Sequence, residues 1–473
     1  MHATPLPLPD VSDTTLPPDV EHVTWLTSDR RVPSRFVRPL LRFTHVEASG
    51  GLILLVAAAV ALAWANAPFG ESYETFWETH LDFTFGPIHL EETLREVVND
   101  GLMAVFFFVV GLEIKRELVR GDLRDPKAAA LPAIAAIGGM VVPAVLYLSF
   151  AGGGEASQGW GIPMATDIAF AVGVVALLGS RVPVGGKLFL LALAIVDDIG
   201  AIAVIAIFYT EQLFMGYLGA AIGGLVVIAI ASRVGIRTLV FYVPMAFATW
   251  YFLLESGVHA TLAGVALGLL TPAFSMYSDD EYQVRAHRIL DRQRFDERAP
   301  RAIERLDQDA IELSLVARES VPPLNRLENA LHPWSSFVIV PIFALANAGV
   351  SFAGVDLLDA ATHPVSIGVS VGLVIGKLFG VSLFAWFAVR FGLGSLPRGT
   401  TWKHIFGLAA IAGIGFTVSL FVTGLAFTDL ELADRAKTGI FIGSAVAGLT
   451  GYLILRSVKV PRPSAVRAES TAS

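Results

Sequence analysis

Asp197 and Asp198 stand side by side in an apolar run from Leu191 to Ile202 that reads LALAIVDDIGAI. An ionised carboxylate inside a bilayer is expensive, and its presence there is by default functional. Successive helical residues point about 100° apart, so one dry pocket does not hide both acids. At least one must face water, a cation or a basic partner. Asp167 follows Thr166 near the middle of another apolar run, and Lys377 interrupts a third, VIGKLFG. Carboxylates and a hydroxyl are the oxygen ligands that a hard monovalent cation such as Na+ wants, on the logic that holds for other hard cations. A protonated lysine offers no lone pair, so Lys377 pairs with an aspartate and is released when the ion arrives. Burial favours the uncharged form of acids and bases alike. Protons and metal ions then compete for the same oxygens, and the acids titrate as a coupled set. Joined to alternating access, that competition is sufficient for cation/proton exchange. A buried polar network that only holds helices together is the plain alternative for the two aspartates. For Lys377, a structural ion pair and a proton carrier are equally open.

Such residues need a frame. The chain has 473 residues, 54% of them hydrophobic and 16% charged, with mean hydropathy +0.63, more apolar than a soluble domain of this size. At roughly 20 residues per span, this length accommodates about a dozen transmembrane helices and their tails. The absence of cysteine excludes disulfides and thiol chemistry. The net charge of −8 says little, because the charges lie outside the apolar runs, and no nucleic-acid partner and no cofactor is expected. No cleavable signal is visible, and the run from Gly50 to Ala67 reads as a retained first span.

The predicted fold is an all-α polytopic membrane protein of twelve helices. A Pro-dotted, disordered cytoplasmic segment covers 1–45, spans one to eight cover 46–272, a charged cytoplasmic loop covers 273–332, spans nine to twelve cover 333–457, and a cytoplasmic tail covers 458–473. Charge asymmetry agrees. Lys115, Arg116, Arg120, Arg124 and Lys127 fall in one link between spans, Arg233 and Arg237 in another, and nine arginines between 285 and 326. Links around Gly152–Gly159 and Ser351–His363 carry none, so the positive links lie inside and both termini are cytoplasmic.

Two links stand out. Residues 81–90, LDFTFGPIHL, alternate around a Gly-Pro turn and predict a small β-hairpin on the outer surface. Such a hairpin is marginal alone, so a homodimer through 81–90 is expected. In the long link, Ile303, Leu306, Ala310 and Leu313 recur at helical spacing and predict a solvated amphipathic helix.

Two spans are broken in a matching way. The fourth carries Gly161, Pro163 and the polar Thr166-Asp167; the eleventh carries Gly407, Gly413 and Gly415 in IAGIGFTVS. The fourth is the middle of spans three to five and the eleventh the middle of ten to twelve. Those units begin on opposite sides of the membrane, so if related they are inverted repeats. Unwound backbone at that depth is tolerable only where it lines a cavity or is buried in protein.

Several long motifs in order then resemble one family. They are Val98-Asn-Asp-Gly-Leu-Met-Ala-Val-Phe-Phe107, Gly111-Leu-Glu-Ile-Lys-Arg-Glu-Leu118, Ala165-Thr-Asp-Ile-Ala-Phe170, the LALAIVDDIGA run, Ser256-Gly-Val-His-Ala-Thr-Leu-Ala-Gly264, Leu331-His-Pro-Trp334 and the IGK around Lys377. From about residue 48 to 457 the chain is similar to the NhaA family of Na+/H+ antiporters. The rule that paired helix breaks mark a transporter's midplane site was itself drawn in part from this family, so it adds no independent support. The resemblance implies that Asp198 is the central ligand for Na+ or Li+, with Asp197 beside it and paired to Lys377, and Thr166 and Asp167 at the crossing of the broken helices. It implies further that Asp100 is the family's second-span acid, and that Glu113, Glu117, Glu328 and His332 form a cytoplasmic entrance tied to pH activation. A solvated helix end is the plain reading of Glu113 and Glu117, like charges one turn apart with Arg116 nearby. Residue 329 is Asn where well-known members have His, and the 273–325 link is longer than is usual. His259 reads as a packing histidine rather than a pH sensor.

The expected function is electrogenic, pH-regulated export of sodium in exchange for protons, serving sodium and pH homeostasis. An intramembrane aspartyl protease is the alternative from another class, since paired membrane aspartates can share a proton and activate water. The chain lacks the GxGD and YD signatures of such enzymes. A cation channel is the third reading, but it needs no titratable lock.

Overall fold

The computed structural model describes residues 49–85, 88–210, 213–295, 302–351 and 357–458. The expectations for 1–45, for the tail beyond Val458 and for the Gly86-Pro87 turn fall outside the described residues.

Long runs of Ala, Leu, Val, Ile and Gly become helices because hydrocarbon offers no partner for a backbone N–H or C=O, and a helix pairs them within itself. In order the elements are α1 (Ser49–Ala65), α2 (Glu71–Trp77), β1 (His80–Phe85), β2 (Ile88–Thr93), α3 (Leu94–Val119), α4 (Pro126–Ala151), a 3-10 segment over Gly154–Met164, α5 (Ile168–Leu178), α6 (Val184–Phe208), α7 (Met215–Val234), α8 (Leu239–Glu255), α9 (Thr261–Leu270), α10 (Asp279–Phe295), α11 (Ala302–Ser320), α12 (Pro323–Asn347), α13 (Leu357–Thr362), α14 (Pro364–Arg390), α15 (Trp402–Ile411), α16 (Phe416–Ala426) and α17 (Leu430–Arg456). Among the described residues seven helices are long and apolar enough to cross a membrane, and nine if each of two bent pairs is one span. The pairs are Gly154–Met164 with Ile168–Arg181, bent by 43°, and α15 with α16, bent by 45°. The shorter apolar helices are α1, α8 and α9.

The apolar faces point two ways. Leu54, Tyr73, Phe107, Tyr147, Phe343 and Phe421 belong to one buried cluster, and Leu131, Val175, Phe189, Leu408 and Ile411 to a second. On α7 and α8, Val234 and Val240 are 75% and 82% exposed, a liability in water and a solvated surface in lipid. The helices α4 and α14 touch through Gly138 and Gly380, where a methyl group on either would collide with the other's carbonyl oxygen. Small residues buy such close approach where lipid gives helices no hydrophobic reason to associate.

Strands β1 and β2 pair antiparallel, with Leu81 opposite Glu92 and Asp82 opposite Glu91. Burial, and then the nearby acids Glu96 and Asp100, push the Glu92 carboxyl up to about 7. A capping box starts α3: the Glu96 carboxylate accepts from the Thr93 N–H at 2.7 Å, and the Glu96 N–H is 3.2 Å from the Thr93 hydroxyl oxygen.

The ninth span differs from its expected start at Trp334. Helix α12 begins at Pro323 and carries Arg326 and Glu328 on its first turns, inside the stretch assigned to the charged loop. Pro333 has no N–H to give, and the helix passes it through a wide π turn over Ser335–Ile339, in which the Val340 N–H reaches the Ser335 carbonyl. An apolar-run count sees neither the polar first turns nor the bulge.

The long link is a pair of packed helices, α10 and α11. Its buried residues are Ile289 and Val316, while Ala310 of the expected stripe is exposed; the side chains of Ile303 and Leu306 lie outside the described residues. At its base the Glu319 carboxylate accepts from Arg237 at 2.8 Å and from Arg326 at 3.2 Å, while the Met276 N–H donates to the Glu319 carbonyl at 2.9 Å. Burial alone would raise this carboxyl, but the two guanidinium bonds outweigh it and hold it below the usual range. The stability it contributes is therefore present above about 4.5, the ordinary glutamate value, and is lost as pH falls through the folded-state value. Glu319→Gln is expected to cost about 1 kcal/mol of protection, seen as faster amide exchange in α11 at pH 7. The difference from the wild type should vanish once acid has protonated Glu319; equal exchange at pH 7 would remove the clamp.

Candidate functional site

In the first bent pair the 3-10 segment carries Pro163, which has no N–H to donate, and ends one residue later at Met164. Ala165 and Asp167 are extended, with φ/ψ of −85°/153° and −81°/102°. Asp167 then caps α5, its Oδ1 accepting from the Phe170 N–H at 3.1 Å. Its Oδ2 crosses to the other broken span and accepts from the Thr417 N–H at 3.0 Å and the Thr417 hydroxyl at 2.6 Å. One carboxylate thus lies at the N-terminal ends of α5 and α16 together, where two helix dipoles favour negative charge. The peptide groups freed by the breaks are met by the opposite bent pair and by α17. The Asp167 N–H donates to the Ile414 carbonyl at 2.6 Å, the Ser419 hydroxyl to the Ile162 carbonyl at 2.7 Å, and the Gly415 N–H to the Ser444 hydroxyl at 3.3 Å.

Beside this crossing, α6 and α14 bring their charges together. The Lys377 ammonium donates to Asp197 Oδ2 at 2.6 Å and to the Thr166 hydroxyl oxygen at 3.1 Å. That hydroxyl lies 2.7 Å from Asp197 Oδ2 and 2.8 Å from the Ala412 carbonyl, and its single proton serves one of them at a time. Thr166, Asp197 and Lys377 are all fully buried. Gly139 lets α14 approach α4 beside the lysine, since a Cβ there would stand only 2.8 Å from the Val381 Cγ2. The π turn over Gly372–Gly376, closed by the Lys377 N–H on the Gly372 carbonyl, immediately precedes it.

Asp197 Oδ1 is buried and has no hydrogen-bond partner. Asp198, one residue on and 6% exposed, has Asp197, Glu113, Asp167 and Lys377 as its charged neighbours. No three acidic or histidine side chains converge to hold a metal among the described residues. A cation here must complete its shell with hydroxyl, carbonyl or water oxygens, the donors that hard cations accept.

Of the remaining candidates, Glu113 neighbours Asp198 and also belongs to a second group. Arg116 gathers the acids of the α3 end: it pairs with Glu328 of α12, and reaches Glu117 at 3.4 Å and Glu113 at 3.9 Å. His332 is exposed and is not part of that cluster. Asp100 sits in a π turn of α3 over Val97–Leu102, where its carbonyl accepts from the Trp250 indole at 2.9 Å, away from the Lys377 group. His259 Nε2 meets the Tyr209 carbonyl at 2.8 Å, which obliges that ring nitrogen to donate. Sequence reasoning passed over Thr417 and Ser419, although FTVS directly after the GIG break signalled hydroxyls near the crossing. It did not reach the Ala412 carbonyl, because backbone groups carry no letter.

The chain matches the family described as Na+/H+ antiporter 1 over residues 41–455. It is 47% identical over 433 residues to the Na(+)/H(+) antiporter NhaA of Rhodopirellula baltica, covering 91% of this chain and 96% of that one. It is 44% identical to the Na(+)/H(+) antiporter NhaA 2 of Sorangium cellulosum, covering 95% and 97%, and 46% identical to the NhaA of Koribacter versatilis, covering 89% and 91%.

Removing one member of a buried ion pair leaves the other charged and unpaired, at a cost of roughly 3–5 kcal/mol. Lys377→Ala should therefore lower the melting temperature in detergent strongly, and adding Asp197→Asn to it should recover part of the loss. Unchanged melting in the single variant would count against the pair.

Proposed function

The chain belongs to the Na+/H+ antiporter family and exchanges sodium ions for protons as a transporter, not an enzyme, and from that premise we propose that Asp198, with Asp197 and Thr166, is the site where the two ions compete. One observation carries the reading: Asp197 Oδ1 is a buried carboxylate oxygen with no partner, next to a second acid in the same apolar run. Sodium, or lithium, binds these oxygens when they are unprotonated and displaces Lys377 from Asp197. Protons from the other side then discharge the ion. Asp167 supports the site by holding the two half-helices together. Neither the protease nor the channel reading accounts for the lysine lock.

The frame is read as twelve spans, counting the nine together with α1, α8 and α9. Inverted repeats are favoured by length and register. In one unit, helices of 26 and 25 residues flank a pair bent by 43°; in the other, two of 27 residues flank a pair bent by 45°. A side-chain acceptor precedes a proline at the start of each: Asp125 accepts from the Lys127 N–H at 3.0 Å, His363 from the Val365 N–H at 3.3 Å. Counted from each helix start, Lys377 of α14 corresponds to Gly139 of α4, and Asp197 of α6 to Gly443 of α17.

The same reading puts both termini on the cytoplasmic side of a bacterial inner membrane and makes the β1–β2 hairpin a homodimer contact. It assigns pH response to Glu113, Glu117 and Glu328 around Arg116, with His332 at the rim, and gives Asp100 an accessory role on the outward side. Where more protons than sodium ions move, each net charge is worth about 2.3 kcal/mol per 100 mV, so the membrane potential drives export.

Asp198→Asn is expected to abolish sodium-induced dequenching of a pH dye in everted vesicles while melting stays unchanged. Dequenching in that variant would contradict the assignment. In the wild type, sodium affinity should weaken roughly tenfold per pH unit for each proton displaced as the medium is acidified. A flat profile would end the competition mechanism.

A further inference from the structure

The cytoplasmic half of the eleventh span, α15, begins at Thr401-Trp-Lys-His404. The usual capping box has Glu or Gln at the last of those four places, where its side chain reaches back to the first residue's N–H. Here a histidine does so. Its Nδ1 lies 3.0 Å from the Thr401 N–H and 2.9 Å from the Thr401 hydroxyl, while Nε2 lies 3.2 Å from the Arg181 carbonyl. A backbone N–H only donates and a carbonyl only accepts, so the ring is the neutral tautomer with its proton on Nε2. His404 is 5% exposed, and Arg181 is itself tied through its guanidinium to the Arg456 carbonyl at 2.9 Å.

The cap holds one end of a helix whose other end serves the exchange site. The ten residues of α15 run about 15 Å to the Ala412 carbonyl, against which the Thr166 hydroxyl lies beside Asp197. Ile405, Leu408 and Ile411 are fully buried along the way, so the helix is clamped by packing and moves as a unit. We propose that His404 is a positioning residue for the exchange: its neutral imidazole closes the cap of α15, and α15 holds the Ala412 carbonyl in place against Thr166.

A second proton on the ring opens this cap. It turns the Nδ1 acceptor into a donor facing another donor, and places positive charge at a helix N-terminus, where the dipole opposes it. Among the described residues, the segments at this end carry Arg181, Lys187, Arg390, Arg398, Lys403 and Arg456 and no acidic side chain to meet the added charge. Acid on the cytoplasmic side therefore loosens α15 through a group separate from the carboxylates that bind the ion.

The proposal rests on Thr166 and Asp197 belonging to the ion site, which the Asp198→Asn experiment tests by itself. Its own test uses the full chain in proteoliposomes, as wild type, His404→Gln and His404→Ala, with the half-saturating sodium concentration measured from pH 6 to 9. Glutamine restores the acceptor at every pH. At pH 8, His404→Gln should match the wild type within about twofold, and His404→Ala should need about fivefold more sodium, from the typical worth of a helix cap. On acidification the wild type should lose affinity more steeply than His404→Gln, by about the same factor once the ring carries its second proton. A purely structural histidine predicts superimposable acid limbs for these two proteins, and that result overturns the proposal. So does an unaltered sodium requirement in a folded His404→Ala; if that variant does not fold, the comparison of glutamine with wild type still decides.

Discussion

Two helices interrupted inside a medium without water must find new partners for every peptide group they release, and the only polar backbone at that depth is each other's. This constraint makes the crossing of the two bent helix pairs obligatory. The Asp167 N–H and the Ile414 carbonyl satisfy one another, Ser419 answers Ile162, and the Asp167 carboxylate answers α5 and α16 together. Neither break is tolerable alone. The charged pair of Lys377 and Asp197 depends on the same contact, because Thr166, which lies in one break and against the carbonyl of the other, is its third member. A pair buried this deeply is no gift to stability, since desolvation offsets most of the attraction.

Much of this was legible beforehand. Acids and a lysine in apolar runs announce themselves, because hydrocarbon penalises charge so heavily that composition becomes a pointer. The breaks were equally readable from Pro163, Gly413 and Gly415. What escaped has a common cause. The Ala412 carbonyl is a backbone group, the Arg116 cluster draws on α3 and α12 from distant parts of the chain, and the start of α12 is hidden by polar residues that a hydropathy count assigns to a loop. The stripe read into α11 failed at Ala310, since a lone amphipathic pattern does not say which neighbour will cover it; α10 covers the side holding Val316 instead.

The two packed helices α10 and α11 show how an insertion is accommodated. Their own buried contact rests on few residues, Ile289 and Val316 among them, but Glu319 fastens the base to Arg237 between α7 and α8 and to Arg326 on α12. One carboxylate thereby ties the junction of α11 and α12 to Arg237, 82 residues earlier in the chain. The helix it grips is the one that carries Glu328 to Arg116, so the α10–α11 unit is mechanically continuous with the acids of the α3 end.

The wide turn over Gly372–Gly376 has a geometric consequence. A π turn accommodates one residue more than an α turn, so everything after it is wound about 100° away from where an unbroken helix started at Pro364 would put it. Lys377 is the first residue past that offset. Its heading toward the buried aspartate is therefore set by a winding defect upstream, and an otherwise regular rod of the same composition would aim the ammonium at a different quarter of the bundle.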